Sequence, residues 1–418
     1  MDINTLIIGG GPAGLTAACF SEGPCLVVER MKTPARKLLA TGGGRCNLTH
    51  ATDAGGIIAA FGRQGRFMTA ALRAFPPDAI RAFFDGLGIA TRTEPDGCVF
   101  PVSQKASDVA HALERAARAA GAEIRCGVQA TRLILSGDGP DAHVCAVETS
   151  AGVIRARHVI LATGGRSYPA LGADGAGLKL AHGAGLAVTP PVPALAGLFT
   201  QEAWLGTLAG IVLERGGLRL DAPGFRKEWL TGPILFTHKG ISGPPALDLS
   251  GEINAQLRAQ PGSSATVHLS CIAGRTARDW LALFDDWRAR HGGRALHNLL
   301  SGELPRSLAT ALCDLAGAQN LAVAQTKRNT LDALATACAD QPLRVTSTEG
   351  WERAMVTRGG VALNELDPQT LACRRIRGLF CAGEAVDLDG RCGGYNLTWA
   401  FASGRLAGLS ARALCTCP

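Results

Sequence analysis

Residues 3–30 read INTLIIGGGPAGLTAACFSEGPCLVVER: a strand, a glycine turn, a helix and a second strand that ends in an acid. Thr5-Leu6-Ile7-Ile8 is a short buried-strand pattern, and Gly9, Gly11 and Gly14 follow it at G-x-G-x-x-G spacing. Glu29 closes the strand Cys25-Leu26-Val27-Val28, twenty residues after Gly9. Gly9 permits a tight turn, Gly11 lets the backbone approach a pyrophosphate, and Gly14 lets the helix pack closely on the strand. The helix start, with Pro12 and Ala13, offers N–H groups and a partial positive charge. Glu29 would accept hydrogen bonds from ribose hydroxyls, with Arg30 beside it. A chain with 53 glycines produces incidental glycine turns, yet here the strand before, the helix after and the distant acid all point to a dinucleotide site.

A chain of 418 residues exceeds one compact core, so two or three domains are expected. Its 47% hydrophobic and 18% charged residues are those of a globular protein and exclude a mainly disordered one. Residues 3–21 carry no charge, but Gly9-Gly10-Gly11-Pro12 interrupts them, and Met1-Asp2 supply no basic region of an export signal. A cytoplasmic protein without a membrane segment is expected. The 14 cysteines are scattered with no C-x-x-C pair, which reads as reduced thiols, and Cys415 and Cys417 read as part of a frayed tail, so no metal site is expected.

The net charge of +7 is unevenly spread. Residues 30–75 contain Arg30, Lys32, Arg36, Lys37, Arg45, Arg63, Arg66 and Arg73 against Asp53 alone. Such a stretch would neutralise cofactor phosphates or receive a polyanion such as RNA; the shortage of aromatic residues there favours cofactor and solvated surface.

After Arg30, the run KTPARKLLATGGGRCNLTH places Gly42-Gly43-Gly44 before Arg45-Cys46-Asn47, a bare backbone next to polar groups that fits contact with a flat ligand or a phosphate. Residues 66–92 read as two helices broken at Pro76-Pro77. A helix from about Ser107 to Ala120 follows, with Lys105 in the turn before it, and then a strand from Ile124 to Val128. A β-meander ends in Val159–Thr163 and Gly164-Gly165, a small-residue corner suited to a cofactor. A helix over 175–183 leads to the linker TPPVPALAGL. Short strands and turns fill 195–270, helices fill 275–340, and nucleotide-domain character returns with Leu379–Glu384 and a helix from Tyr395. Glu384, Asp387 or Asp389 would bind a ribityl chain, and the Gly393-Gly394 turn points a helix N-terminus at the bound ring. A reduced flavin develops anionic charge that such a helix end stabilises and a nicotinamide does not, which favours FAD over NAD.

The motifs GGGPAG, KLLATGGGRCNLT, VFPVSQKASDV, LATGGRSYP, LFTHKGISGP, GGVALNELDPQT and GLFCAGEAVDLDGRCGGYN run in order over residues 3–408. Together they resemble the bacterial FAD-dependent oxidoreductase family labelled aminoacetone oxidase-like, within the two-dinucleotide-binding flavoproteins. The resemblance implies an α/β fold: a Rossmann-like FAD-binding domain of glutathione-reductase type, residues 1–194 and 353–418, with an inserted β-domain, 195–274 and 341–352, that carries a helical module, 275–340. It assigns FAD contacts to Gly9, Gly11, Gly14, Glu29, Lys37, Gly43, Arg45, Cys46, Asn47, Gly164, Gly383, Glu384, Gly394 and Asn396. Pro12, Ala13, Arg30, Gly42, Gly44, Val128, Thr163, Asp389, Gly393 and Tyr395 complete the candidate cofactor site. Arg391-Cys392 departs from the family, which more often has an aromatic residue and a threonine there, and the helical module is short.

Activities attributed to the family include amine oxidation, steroid reduction and dihydrouridine formation in ribosomal RNA. The expectation is hydride transfer at flavin N5, with a ribosomal RNA uridine as lead substrate, a small amine or enone as the rival, and a non-catalytic flavin-bearing binding protein as the third reading. Reduction of uracil also needs a proton donor, for which Cys46, Lys105, Tyr168 and His238 are the candidates, Cys46 competing with a purely packing role. No second dinucleotide motif is present, so NADH or NADPH binding transiently, or a partner, would reduce the flavin.

Overall fold

A computed structural model of the chain describes residues 3–413; Cys415 and Cys417 lie outside the described residues. The described cysteines are all free thiols. Two compact units are present, one running to Pro193 and resuming at Ala354, the other spanning Ala194–Arg353.

The first unit is built on the opening stretch. Strand β1 (Ile3–Ile8), helix α1 (Pro12–Phe20) and strand β2 (Cys25–Glu29) form as their apolar runs and glycine turn dictate. Helix α2 (Ala106–Ala119) then leads to β3 (Ala122–Cys126), and the meander β4 (Ala130–Ser136), β5 (His143–Thr149) and β6 (Gly152–Leu161) follows. Strand β7 (Leu379–Cys381) and helix α3 (Tyr395–Ala413) come from the returning chain. One seven-stranded sheet has the order β3-β2-β1-β6-β5-β4, with β7 on β6. The β3, β2, β1, β6 and β7 pairings are all parallel, and the meander is antiparallel. Thr5–Ile8 and Cys25–Val28 are buried on both faces, which is why they read as unbroken apolar runs.

Helix α3 lies against α1 with backbone touching backbone. A Cβ added at Gly404 would stand 2.3 Å from the Ala13 carbonyl oxygen, and one at Gly408 2.5 Å from that of Ala17. Four-residue spacing puts both glycines on one helix face, so α3 can approach no closer and tolerates nothing larger.

In the second unit, strands Leu198–Thr200, Gly240–Ser242, Leu230–Thr237, Val212–Leu220, Ala265–Ser270 and Gln341–Thr348 close a barrel in that order. Helices Ala277–His291, Leu296–Leu300, Arg306–Leu315 and Arg328–Asp340 stand between its last two strands in sequence. Leu218, Val267 and Leu343 of the barrel share one buried cluster with Trp280, Phe284, Leu308 and Leu331 of the helices.

Two local readings change. The segment read as the linker TPPVPALAGL contains a strand, Val188–Ala194, that pairs with Val356–Val361 in a two-stranded ribbon; a proline whose missing N–H faces the unpaired side of such a ribbon costs no ladder bond. Residues 244–259, read among short strands, form a helix. Its two prolines occupy the first turn, where a missing N–H costs nothing, and Ala246, Leu249 and Ile253 are buried at helical spacing. No helix among the described residues is long and apolar enough to cross a membrane.

Candidate active site

Ile8 stands opposite Leu161, and Leu161 opposite Cys381, so β1, β6 and β7 end side by side. The segments leaving them, 9–14, 162–165 and 382–384, share the carboxyl edge of the sheet, where open α/β folds bind ligands. Two of the fingerprint glycines are demanded by the protein itself. Gly9 has φ +108° and a Cβ there would stand 2.5 Å from the Ala162 carbonyl oxygen; a Cβ on Gly14 would stand 1.9 Å from that of Gly9. Gly11 differs: its φ is −80°, and an added Cβ would meet nothing within 4 Å. Neither torsion nor packing requires glycine there, so the bare position leaves room for a group outside the protein. No side chain caps α1 and no acid lies in its first turn, so its positive end is presented at this spot.

Glu29 is held at the same edge. Its Oε2 accepts from the Gly10 N–H (2.7 Å) and its Oε1 from the Met31 N–H (2.8 Å). Each oxygen keeps a second lone pair for a ligand hydroxyl. A solvent-open cleft brings together Gly9, Glu29, Arg30, Val128 and Thr163. It adds Gln129, Gly172 and Asp174, which sequence reasoning missed. Asp174 accepts from the Ala176 N–H (3.0 Å), an Asx turn that its Asp-Gly dipeptide signals; its 2.5 Å ion pair with Arg30, 144 residues away, has no local signal.

Farther along the edge, Lys37 donates to Ser167 Oγ (2.5 Å) and to Glu384 Oε2 (2.6 Å). Ser167 Oγ donates to Glu384 Oε1 (2.8 Å), which also accepts from the Thr357 N–H (3.1 Å). Asp389 accepts from Arg358 Nε, 3.1 Å to each oxygen, and Asp387 is buried. Two of the acids that the sequence offers to a ribityl chain, Glu384 and Asp389, therefore have partners within the protein. The basic stretch is likewise partly internal: Arg30 pairs with Asp174, Lys37 with Glu384, and Arg45 with Glu94.

The triple-glycine turn has Gly42, Gly43 and Gly44 all at positive φ, from +57° to +87°. Arg45 after it lies 4.0 Å over the Phe100 ring. Asn47 Oδ1 accepts from the Val99 N–H (3.2 Å). A Cβ on Gly394 would stand 2.6 Å from the Thr49 carbonyl oxygen and 2.7 Å from Asn47 Oδ1, so this segment touches the start of α3. Asn396 closes its amide around Gly390, accepting from N (2.8 Å) and donating to O (2.9 Å). Tyr395 stacks on His50, ring centres 4.7 Å apart and planes at 22°, and His50 Nδ1 lies 3.0 Å from the Gly393 carbonyl oxygen. His50 had no sequence signal, since its partners lie more than 340 residues away.

A family model described as HI0933-like protein Rossmann domain matches residues 3–410. The chain belongs to that family. It is a family of FAD-dependent oxidoreductases. Over 411 residues the chain is 32% identical to a 3-dehydro-bile acid delta(4,6)-reductase of Clostridium scindens, with 97% of this chain and 98% of the relative covered. Over 407 residues it is 28% identical to a ribosomal RNA dihydrouridine synthase of Escherichia coli, 96% of each being covered. Among solved structures, the open conformation of a flavocytochrome c3 fumarate reductase superimposes with TM-score 0.52 at 18% identity, covering 100% of this chain and 79% of that one, a likeness of fold alone.

Of the four proton-donor candidates, Cys46, Lys105 and Tyr168 belong to the first unit and His238 to the second. Lys105 is exposed just ahead of α2; its neighbour Gln104 accepts from Arg45 (3.3 Å), which places it near the 42–47 turn. Tyr168 is half-buried at φ +56° and follows Ser167 of the Lys37 network. His238 is exposed in the two-residue turn between Leu230–Thr237 and Gly240–Ser242, in the second unit.

Cys46 exposes no surface, and burial pushes its thiol up to about 12. Near pH 8 its thiolate fraction is then on the order of one in 10⁴. In the folded protein Cys46 is expected to resist iodoacetamide at pH 8 and to label once denatured; a peptide-mapping experiment showing rapid native labelling would contradict its burial.

Proposed function

We propose that this HI0933-like protein holds FAD along the carboxyl edge of its sheet and reduces a carbon–carbon double bond conjugated to a carbonyl. Gly11 carries the cofactor half of this reading: it is a glycine that nothing in the chain requires, at an uncapped helix start beside a pinned carboxylate. The substrate half is supported by chemistry common to the two named relatives. A 3-oxo steroid with double bonds in conjugation and the C5=C6 bond of uridine both accept hydride at the carbon β to a carbonyl and a proton at the α carbon. Bound FAD supplies hydride transfer at N5, with NADH or NADPH as the electron source.

The protein's own residues hold and orient. Gly11, Pro12 and Ala13 present the helix end to the pyrophosphate, and Glu29 accepts from the adenosine ribose. Lys37, Ser167 and Glu384 lock three loops of the edge together, and the 42–47 turn with Gly393 and Gly394 frames the ring end. Cys46 has no exposed atom to give a substrate, and in the unit that carries the glycine turn Lys105 and Tyr168 remain to deliver the proton.

Uridine in ribosomal RNA is the lead substrate, supported by exposed Lys32, Arg63, Arg66 and Arg73. A steroid-type enone is the second reading, favoured by the internal pairing of Arg30, Lys37 and Arg45, which leaves less charge for a polyanion. The test is anaerobic mixing of the reduced holoprotein with a 3-oxo-4-ene steroid or with unmodified ribosomal RNA, following return of the oxidised flavin absorbance, together with mass-spectrometric mapping of ribosomal RNA from a deletion strain. Reoxidation by RNA and loss of a dihydrouridine support the lead. Reoxidation by the steroid alone, with unchanged dihydrouridine, supports the second reading. Reoxidation by neither overturns both.

A further inference from the structure

The ring end of the proposed site is closed by a turn with two adjacent glycines in conformations closed to other residues, Gly393 at φ +133° and Gly394 at φ +92°. A Gly-Gly peptide has few barriers to rotation, so something must decide which way it faces. His50 does. A carbonyl only accepts, so the 3.0 Å contact between His50 Nδ1 and the Gly393 oxygen requires the proton on Nδ1. The ring itself is confined on both faces of its reach. It stacks on Tyr395, and a Cβ on Gly97 would stand 2.5 Å from its Nε2, so a third bare glycine gives it room.

In a trans peptide the C=O and the following N–H point in opposite directions. Holding the Gly393 carbonyl toward His50 therefore turns the Gly394 N–H away from His50, as a donor at the head of the 19-residue helix α3. We propose that His50 is a positioning residue of the cofactor site, fixing the Gly393–Gly394 peptide so that the Gly394 N–H and the positive helix end act together on the flavin. This rests on the FAD reading. A donor there stabilises the negative charge that reduction places on the ring more than it stabilises the oxidised ring, so losing it lowers the flavin midpoint potential.

His50→Asn keeps a donor where Nδ1 stands and removes the ring. His50→Phe keeps the ring and removes the donor. His50→Gln carries its amide one bond too far. The holoproteins are compared by FAD dissociation constant, midpoint potential and melting temperature. H50N is expected to keep the wild-type midpoint, while H50F and H50Q bind the reduced cofactor about ten-fold less well relative to the oxidised one, which is about 30 mV for a two-electron couple. H50Q keeps the test informative where H50F folds poorly. A wild-type midpoint in H50F and H50Q overturns the proposal, as does an equal shift in all three variants, which marks simple packing. Failure of the wild-type protein to bind FAD overturns the cofactor reading itself, and this proposal with it.

Discussion

Gly11→Ala is expected to leave the apoprotein as stable as the wild type and to weaken FAD binding at least about 100-fold, some 2.7 kcal/mol. The backbone at Gly11, φ −80° and ψ −176°, suits alanine, and the new methyl group meets nothing of the protein within 4 Å. Restricting the unfolded chain adds about 0.4–1 kcal/mol of stability, which offsets the weaker preference of alanine for this N-cap position. The methyl group instead occupies space at the helix end that the pyrophosphate needs, so the whole loss falls on the ligand. Gly14→Ala is the contrast, because its Cβ would stand 1.9 Å from the Gly9 oxygen and both fold and binding should fail. A thermal melt of the apoprotein and a fluorescence titration with FAD separate the two effects. Wild-type FAD affinity in Gly11→Ala would remove the main support for the cofactor site.

A large loss of stability is also expected from Gly404→Val. At 2.3 Å from the Ala13 oxygen, even its Cβ cannot be accommodated without moving α3 off α1, and valine adds two further carbons. Overpacking at a rigid backbone contact costs about 3 kcal/mol or more. In a unit of this size that lowers Tm by roughly 6–12 °C. Because α1 starts at the glycine turn, FAD affinity should fall together with stability, unlike in Gly11→Ala. Gly86→Ala, in an exposed helix position where a Cβ meets nothing within 4 Å, is the control and should be neutral or slightly stabilising. A Gly404→Val protein that melts with the wild type would mean that the two helices are not in backbone contact.

Amino-acid order alone determined the elements whose causes are local: β1, the glycine turn, α1, β2 with its terminal Glu29, the amphipathic α2 and the alternating meander. Periodicity, torsion and capping act within a few residues, so they are written in consecutive letters. The same locality explains the two misreadings. A linker is expected at 189–198 and short strands and turns over 195–270, whereas the structure forms a strand over 188–194 and, with two prolines in its first turn, a helix over 244–259.

Only the tertiary structure decided what surrounds each candidate site residue. It separated Gly11, which neither torsion nor packing requires to be glycine, from Gly9 and Gly14, which the chain itself requires, although all three are the same letter in one motif. It joined Lys37 to Glu384, Arg30 to Asp174 and His50 to Gly393, pairs 347, 144 and 343 residues apart, and so showed that part of the basic stretch is neutralised inside the fold. Such contacts depend on where parallel strands end side by side after the chain has returned from a 160-residue insertion. No pattern in neighbouring residues carries that information, because the energy that selects those pairs arises only when the sheet has formed.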